Sequence, residues 1–479
     1  MTTPLTPATR APGLTGQEQA TIGHLINQWQ AHQPQNNLRS LYYLGKRSLQ
    51  AAGKLGMAMP PVLGKLETVL GWPSKAVTTL EHRLNPIGFV LPGEPDHDDG
   101  LAEISDANNL VEHQSMTQNA ALIHGSAFVT VSAGDTSNGD PEVVIAGRSA
   151  REATALYSRR SRQITAGLTV NAAENGQPSQ LVIWLPDQII EITKERAGWS
   201  LRRLPHRLGR VPMERLAFRP HLEQPFGTPR ISDPVMGLTD SAARTVLRME
   251  GTAEFFSFPQ RYALGVEQDD FADTFKTYLN RFLALGAPED GQMPQMGQFS
   301  AASPQPHIEQ LRATAGLFSG ETSIPLNYLG IVHDNPSSAD AIRAAEADLV
   351  AVAERAQTSF GPAWARTMAM AHTIANNDVT ADPRMSRLMT QWRDPSTPTK
   401  AAQAQSVMSL VAMGVLPANS PVTYRLLGYD EATVSQLVAD ARSAAGRQAL
   451  AALNPRGPDP EVDALTQTAT STGRGGQPG

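Results

Sequence analysis

Two long amphipathic helices constrain the fold of this 479-residue chain more than any other feature. The first is predicted to begin with Asp233 as its N-cap and Pro234 at the first helical position, where a missing N–H costs nothing. Apolar residues then recur at three- and four-residue steps, which predicts one buried face along the helix. These residues are Val235, Leu238, Ala242, Val246, Met249, Ala253 and Phe256.

The second long helix is predicted from Ala339 to about Ile374 and is rich in alanine. Ser337 and Asp340 have the spacing of a capping pair at its start. Pro362 is expected to kink the helix, because proline cannot donate to the helix ladder. The alanine-rich face fits either a protein core or a close helix–helix contact between subunits.

Short β-prone runs begin at Gly125 and continue to about residue 204. Turn-forming pairs such as Asn138-Gly139 separate them, which predicts an antiparallel meander or a small sandwich. Residues 205–232 are rich in proline and arginine and are expected to form an extended linker. The predicted strands are Ser126–Val131, Glu142–Ala146, Gln163–Val170, Gln180–Leu185, Gln188–Thr193 and Trp199–Leu204.

The remaining patterns are helical, so the predicted fold class is α+β and mainly helical, with two to four domains for a chain of this length. Residues 1–16 and 454–479 have little to bury and are predicted to be disordered. The other helices are expected over residues 17–53, 65–84, 101–124 and 307–319, with a last helical group over 399–453.

The chain has no cysteine and a formal net charge of −6. The lack of cysteine excludes disulfides, thiol nucleophiles and Cys-ligated zinc, and it fits a reducing cytosol. Proteins that hold DNA by neutralising phosphates normally carry a basic excess, so tight sequence-independent DNA binding is disfavoured. The N-terminus has no signal-peptide pattern, and no apolar run approaches the roughly 20 residues of a membrane span.

Catalytic motifs are not found in the sequence. A P-loop needs Gly-x4-Gly-Lys-Ser/Thr, but the Gly-Lys pairs at 45–46, 53–54 and 64–65 are not followed by Ser or Thr. His-Glu-x-x-His, Gly-x-Ser-x-Gly and Gly-x-Gly-x-x-Gly are missing as well. We therefore predict no catalytic residues, no metal site and no cofactor.

Several clusters allow both a functional and a simpler interpretation. The run Asp96-His97-Asp98-Asp99 has oxygen ligands for a divalent cation, but a solvated acidic loop explains it more simply. The aromatic run 255–258 lacks interleaved basic residues and is interpreted as packing. Two basic groups could contact phosphate, although an exposed linker or intersubunit salt bridges are favoured. They are Arg202, Arg203, His206, Arg207 and Arg210, and Arg151, Arg159, Arg160 and Arg162.

A series of short motifs runs in order along about residues 38–450. The most specific is Ile324–Gly330 followed by Asn335–Ile342. The others are Tyr42–Gly45, Val77…Arg83-Leu84…Gly88-Phe89, Asn108–Leu110, Gly125–Val129, Gly209–Pro212, Phe226-Gly227, Asp240…Arg244…Glu250 and Phe258–Tyr262. Each motif alone is weak, but together they resemble the Gp6-like family of phage portal proteins, especially those of phages that infect actinobacteria.

The resemblance implies a homo-oligomeric ring, typically of twelve subunits, at one vertex of the capsid. Double-stranded DNA would pass through its channel without sequence specificity. Each subunit would have a portal fold with wing, stem, clip and crown regions. The implied regions are wing 17–232, stem helices 233–256 and 305–319, clip 257–304, tunnel-loop region 320–338, long wing helix with the segment after it 339–398, and crown 399–453.

The resemblance also implies partners and a location. The partners would be the terminase large subunit, the major capsid and scaffolding proteins and a head–tail adaptor, in a virion assembled in the host cytoplasm, with no membrane. The tunnel-loop candidates are His333, Asp334, Asn335, Ser337 and Ser338. The stem-packing candidates are Leu238, Ala242, Val246, Met249 and Ala253.

Two other interpretations stay open at this point. The chain fits another virion head protein, such as a minor capsid or connector subunit, although the succession of helices over 233–376 favours a portal. An enzyme with an unrecognised site is the third, and the missing nucleophile, base and metal motifs argue against it.

Overall fold

The computed structural model describes most of the chain in two compact units, Met1–Ser396 and Thr397–Gly479. The tail predicted over 454–479, the run Asp96-His97-Asp98 and the loop 331–338 lie outside the described residues. The described ranges are 7–46, 69–93, 99–174, 177–196, 198–257, 261–264, 295–298, 303–330, 339–377, 381–396, 400–429 and 431–453.

The N-terminal segment corrects the disorder predicted for residues 1–16 from residue 7 onward. Pro7–Arg10 forms a 3-10 helix, and helix α1 follows over Gly16–Tyr43. Ala8 and Ala11 are buried in one cluster with the first turns of α1 and the inner face of a β-sheet. Small side chains therefore order this segment by packing, although it lacks large apolar residues.

Three further helices precede the strands. Helix α2 spans Trp72–Glu81, α3 spans Leu101–Ala107 and α4 spans Leu110–His124. The single helix predicted over 101–124 is divided at Asn108-Asn109, where Asn109 has a left-handed φ of 45°. The Asn108 side chain instead donates to the Val143 carbonyl at 2.9 Å and accepts from the Ile145 amide at 2.7 Å.

The strands form two antiparallel sheets, as the meander or sandwich prediction required. Five strands form a simple meander in the order β4-β5-β6-β7-β8, and three form a sheet in the order β3-β2-β9. Phe128 of the small sheet packs with Trp184 of the meander and with Met213 between them. The strands are β1 Pro86–Val90, β2 Ser126–Ala133, β3 Val143–Ser149, β4 Ala153–Ser158, β5 Gln163–Glu174, β6 Gln177–Trp184, β7 Gln188–Glu195, β8 Gly198–Pro205 and β9 Met213–Ala217.

Strand β9 corrects the extended linker predicted over 205–232. It pairs antiparallel with β2, with Leu216 opposite Ala127. Leu216 and Phe218 are buried in the largest apolar cluster of the unit. The charged residues of this strand masked its apolar alternation in the sequence, and its partner lies some 90 positions earlier at β2.

The predicted stem region contains two described helices and a small hairpin-like pair. Helix α5 spans Asp233–Ser257 and α6 spans Gln305–Thr322. Strands β10, Arg261–Leu264, and β11, Gln295–Gln298, pair antiparallel between them. The N-cap is one residue earlier than predicted, because the Ser232 hydroxyl accepts from the Val235 amide at 3.4 Å.

The long helix α7 spans Ala339–Ala375 and continues through Pro362 as one element. Its buried residues, including Leu349, Phe360 and Trp364, pack on the small sheet and on α4. Strand β12, Met389–Trp392, then pairs with β1. The alanine-rich face is therefore at least partly core within one subunit.

The second unit contains the predicted last helical group. Helix α8 spans Lys400–Ala412, α9 spans Pro421–Leu426 and α10 spans Glu431–Leu453. Gln403 of α8 donates to the Leu426 carbonyl at 2.6 Å, and Val407 and Val434 are buried.

Candidate functional site: the paired helices and their polar anchors

Helices α5 and α6 form an antiparallel pair. Ala242, in the first half of α5, shares an apolar cluster with Phe318, in the last turns of α6. At the other end, Thr252 Oγ1 of α5 lies 3.3 Å from His307 Nε2 of α6. The start of one helix therefore lies beside the end of the other.

The five predicted packing residues of α5 lie at different depths. Ala242 is buried, and Leu238, which is half-buried, packs against the same cluster. Val246 and Met249 are half-buried, and Ala253 is exposed. The stripe predicted from the sequence is thus covered within the subunit only in the first half of the helix.

The base of this pair rests on α2 through an aromatic contact. The rings of Trp72 and Phe318 have centroids 5.1 Å apart and are tilted at 53°. Val235 and Ala76 complete the contact between the three helices. Aromatic residues at such a junction contribute both buried area and a preferred ring geometry.

Arg230 ties the same three helices together from below. Its Nε donates to the Ala76 carbonyl at 2.5 Å and its Nη2 to the Thr322 carbonyl at 2.6 Å. Burial, together with the nearby Arg219, lowers the pKa of Arg230 to about 9, so the group stays charged at neutral pH. Thr322 ends α6, where the helix dipole favours a cation.

The N-terminal helix α1 is joined to α5 by a charged hydrogen bond. Tyr42 Oη donates to the Asp240 carboxylate, at 2.9 Å from Oδ2 and 3.0 Å from Oδ1. Both residues belong to motifs that the sequence analysis quoted separately. Their contact gives those motifs a common structural role.

A buried polar triad lies beside the predicted tunnel-loop region. Arg83 Nη2 lies 3.1 Å from Glu346 Oε2, and the Tyr328 hydroxyl donates to Glu346 Oε1. Arg83 also donates to the Pro395 carbonyl at 2.7 Å. Burial, and then the hydrogen bond to Glu346, raises the pKa of Tyr328. Tyr328 precedes residues 331–338 and Glu346 follows them, so one arginine holds both flanks.

The sequence analysis did not assign a role to this triad. Arg83 and Tyr328 are 245 positions apart, so no local pattern links them. Both lie in motifs that carried the resemblance, and this was the only available signal. The tunnel-loop candidates His333, Asp334, Asn335, Ser337 and Ser338 lie outside the described residues.

A second acidic residue fastens α7 to the small sheet. Arg366 Nη2 of α7 lies 3.0 Å from Glu214 Oε2 of β9, and Arg210 pairs with the other Glu214 oxygen. One turn and more away, the Ser359 hydroxyl donates to the Ala217 carbonyl at 2.6 Å. These contacts show that α7 and β9 run side by side in opposite directions.

The basic groups that the sequence singled out are largely engaged within the subunit. Arg203 Nη1 lies 2.6 Å from Glu18 Oε1, and this contact lowers the pKa of Glu18 to about 2. Arg202 pairs with Glu191 at 3.6 Å. Salt bridging therefore accounts for much of the first group, but it lies within one chain rather than between subunits.

Two searches of the described residues have negative results. Among them, no group of three or more His, Cys, Asp or Glu side chains is placed to hold a metal ion. Within the same residues, none of the helices combines the length and the hydropathy that a membrane span needs.

Comparison with solved structures finds phage-like neck assemblies. The neck of a native GTA particle, computed with C12 symmetry, aligns with a TM-score of 0.41 at 12% identity, over 75% of this chain and 90% of that one. The neck of an empty GTA particle, computed with C6 symmetry, aligns with a TM-score of 0.42 at 11% identity, over the same shares of the two chains.

Sequence comparison is more specific. The portal protein of Mycobacterium phage D29 is 32% identical over 408 residues, covering 81% of this chain and 82% of that protein. The portal protein of Mycobacterium phage L5 is 32% identical over 392 residues, covering 78% and 79%. The family model described as phage portal protein, SPP1 Gp6-like, matches residues 22–420. The chain therefore belongs to the SPP1 Gp6-like family of phage portal proteins.

Proposed function

We propose that twelve copies of this chain form a ring at one vertex of the capsid. Double-stranded DNA enters the capsid through the ring during packaging and leaves through it at ejection. The observation that carries the proposal is the family match over residues 22–420, which includes the helices α5, α6 and α7.

The charge of the chain supports a conduit rather than a DNA clamp. Each subunit carries a formal charge of −6, so twelve copies carry about −72. An acidic channel limits adhesion of phosphates, whereas a basic one would gain affinity by counterion release. Asp334 and Asn335 of the tunnel-loop candidate suit such a lining.

The regional assignment follows the family pattern. The two sheets with α1 to α4 form the wing, α5 and α6 form the stem, and α7 is the long wing helix behind the tunnel loop. The pair β10 and β11 marks the base of the clip, and α8 to α10 form the crown. The antiparallel packing of α5 on α6 supports the stem assignment, because a stem needs two helices that leave and re-enter the wing together.

The ring serves as a docking platform in the virion. In the host cytoplasm it meets scaffolding and major capsid proteins and then the terminase large subunit. After packaging it meets a head–tail adaptor. The subunit has no catalytic, metal or cofactor role in this proposal; its function is structural.

Another virion head protein, such as a minor capsid or connector subunit, is the second candidate function. Negative-stain microscopy of the purified chain separates the candidates. Rings with a central hole support a portal. Uniform particles without a hole contradict the proposal, and monomers with a measurable turnover would support an enzyme instead.

A further inference from the structure

A groove of about 440 Å³ lies where the second half of α7 meets the segment that follows it. Its lining is largely apolar and includes Ala369, Met370 and Met385. This volume falls in the range of roughly 300–1,000 Å³ that is typical of sites that receive a compact ligand or several side chains. The described part of the subunit leaves this space unfilled.

The charged residues that line the groove leave a positive excess. Arg210 and Arg366 both pair with the single carboxylate of Glu214. The Arg366 side chain remains 47% exposed. Asp382, at another part of the lining, is bonded to Arg384, whose Nη2 lies 2.8 Å from Oδ2. The groove therefore suits an apolar side chain that carries a carboxylate beside it.

The same subunit presents such a group elsewhere. Leu222 is 94% exposed, more than any other large apolar residue among those described. It stands in the segment Pro220–Pro225, where the His221 amide donates to the Gln224 carbonyl at 3.3 Å and closes a turn. Glu223, which follows it, is also exposed. A proline-bounded turn keeps this apolar tip ordered before any partner binds.

The remaining charge of this turn points toward the subunit's own core. Arg219 lies close enough to the buried Arg230 to contribute to lowering the pKa of that group. Glu223 is thus the carboxylate that a partner would meet beside Leu222.

A subunit cannot fill its own groove with this turn. Ser359 of α7 contacts Ala217 at the end of β9, and Arg366 contacts Glu214 near its start. The groove lies beyond the start of β9 and the Leu222 turn lies beyond its end. The strand between them is about 17 Å long at ~3.3 Å per residue. Complementary patches at opposite ends of one subunit generate head-to-tail contacts, and such contacts close into rings.

We propose that Leu222 of one subunit inserts into the α7 groove of the next subunit around the ring, with Glu223 facing Arg366. This inference rests on the ring proposed above and assigns one of its contacts. It commits the groove to a second copy of this chain rather than to a terminal tail or an adaptor protein.

Because the natural chain has no cysteine, paired thiols test the contact directly. Leu222→Cys and Ala369→Cys chains are mixed, assembled and oxidised, and the products are separated on a non-reducing gel. The expected result is a covalent dimer from the mixture and a ladder of multimers from the double variant. Val111→Cys replaces Leu222→Cys as the control, because Val111 is 71% exposed on α4, away from the groove.

The outcomes separate this inference from the ring itself. Rings that form in the microscope without cross-links above the Val111→Cys control overturn the contact and leave the portal function standing. A chain that forms neither rings nor cross-links overturns both. Leu222→Asp should weaken subunit association about tenfold per interface, roughly the loss expected for one buried leucine, while Val111→Asp leaves it unchanged. Equal association of the two variants would contradict the proposal.

Discussion

Arg83 and Glu346 form a buried ion pair in which Nη2 lies 3.1 Å from Oε2, with both side chains at most 10% exposed. The pair joins the end of α2 to the start of α7. The Tyr328 hydroxyl bonds to the same carboxylate. The two flanks of the predicted tunnel loop are thereby fixed to the wing by a single arginine.

Removal of one partner of this pair should be strongly destabilising. Arg83→Met keeps the aliphatic volume but leaves the Glu346 carboxylate buried without its cation, which typically costs about 3–5 kcal/mol. Arg393→Met is the matched control, because Arg393 is exposed. Thermal unfolding by calorimetry compares the two variants. Equal melting temperatures would show that the ion pair does not stabilise this region.

The double change Arg83→Met with Glu346→Leu refines that test. It removes both charges, so no uncompensated carboxylate remains, and stability should recover in part relative to Arg83→Met alone. If the double variant is less stable than the single one by the full cost of a second lost contact, the two residues act independently.

Gly227 should tolerate alanine much less well than Gly209. Both have left-handed backbones, with φ of 82° and 65°. A Cβ at Gly227 would lie 2.4 Å from the Phe218 carbonyl oxygen, whereas a Cβ at Gly209 meets nothing within 4 Å. Gly209→Ala should cost about 1 kcal/mol from backbone conformation, and Gly227→Ala about 3 kcal/mol because the backbone must also shift. Denaturant titration of both variants measures the difference, and similar costs would contradict the close approach.

The Glu18–Arg203 pair should make stability depend on pH in the acid range. The pKa of Glu18 falls from 4.5 to about 2 on folding, chiefly through its hydrogen bond to Arg203. A lowered carboxylate pKa stabilises the fold above pH 4.5, and this contribution is lost as the pH falls toward about 2. Partial exposure of Arg203 limits it to about 1 kcal/mol. Wild type should exceed Glu18→Gln in stability at pH 7 and converge with it near pH 2.5; a constant gap would refute the assignment.

The charge of the tunnel loop should matter for DNA passage and not for assembly. Asp334→Lys introduces a cation that attracts phosphate, so packaging or DNA retention should fall while rings still form. Asp334→Asn is the matched control, since it removes the charge without adding a cation. Encapsidated DNA is measured in a phage complementation assay. Normal packaging by the lysine variant would remove Asp334 from the channel lining.

Local periodicity predicted the elements whose partners are adjacent in the sequence. The meander strands and α5 were located within a few residues, because alternation and three- to four-residue steps are visible in a short window. Strand β9 was missed, since its charged residues Glu214 and Arg215 are buried or stacked only through contacts far along the chain. Its apolar positions, Met213, Leu216 and Phe218, were the available signal.

The site was predicted less completely than the fold. The stem stripe was visible in the sequence, but its division into a covered first half and a less covered second half depends on where α6 ends. The triad of Arg83, Tyr328 and Glu346 depends on three segments that meet only in the folded chain. Motif order marked two of its members without giving their contacts.

The native mass of the assembled protein tests the central claim most directly. A ring of twelve subunits of 51.4 kDa has a mass of about 617 kDa. Native mass spectrometry of the purified chain should therefore show one closed oligomer of this mass, stable to dilution. A species that stays at 51.4 kDa across micromolar concentrations would contradict the portal ring.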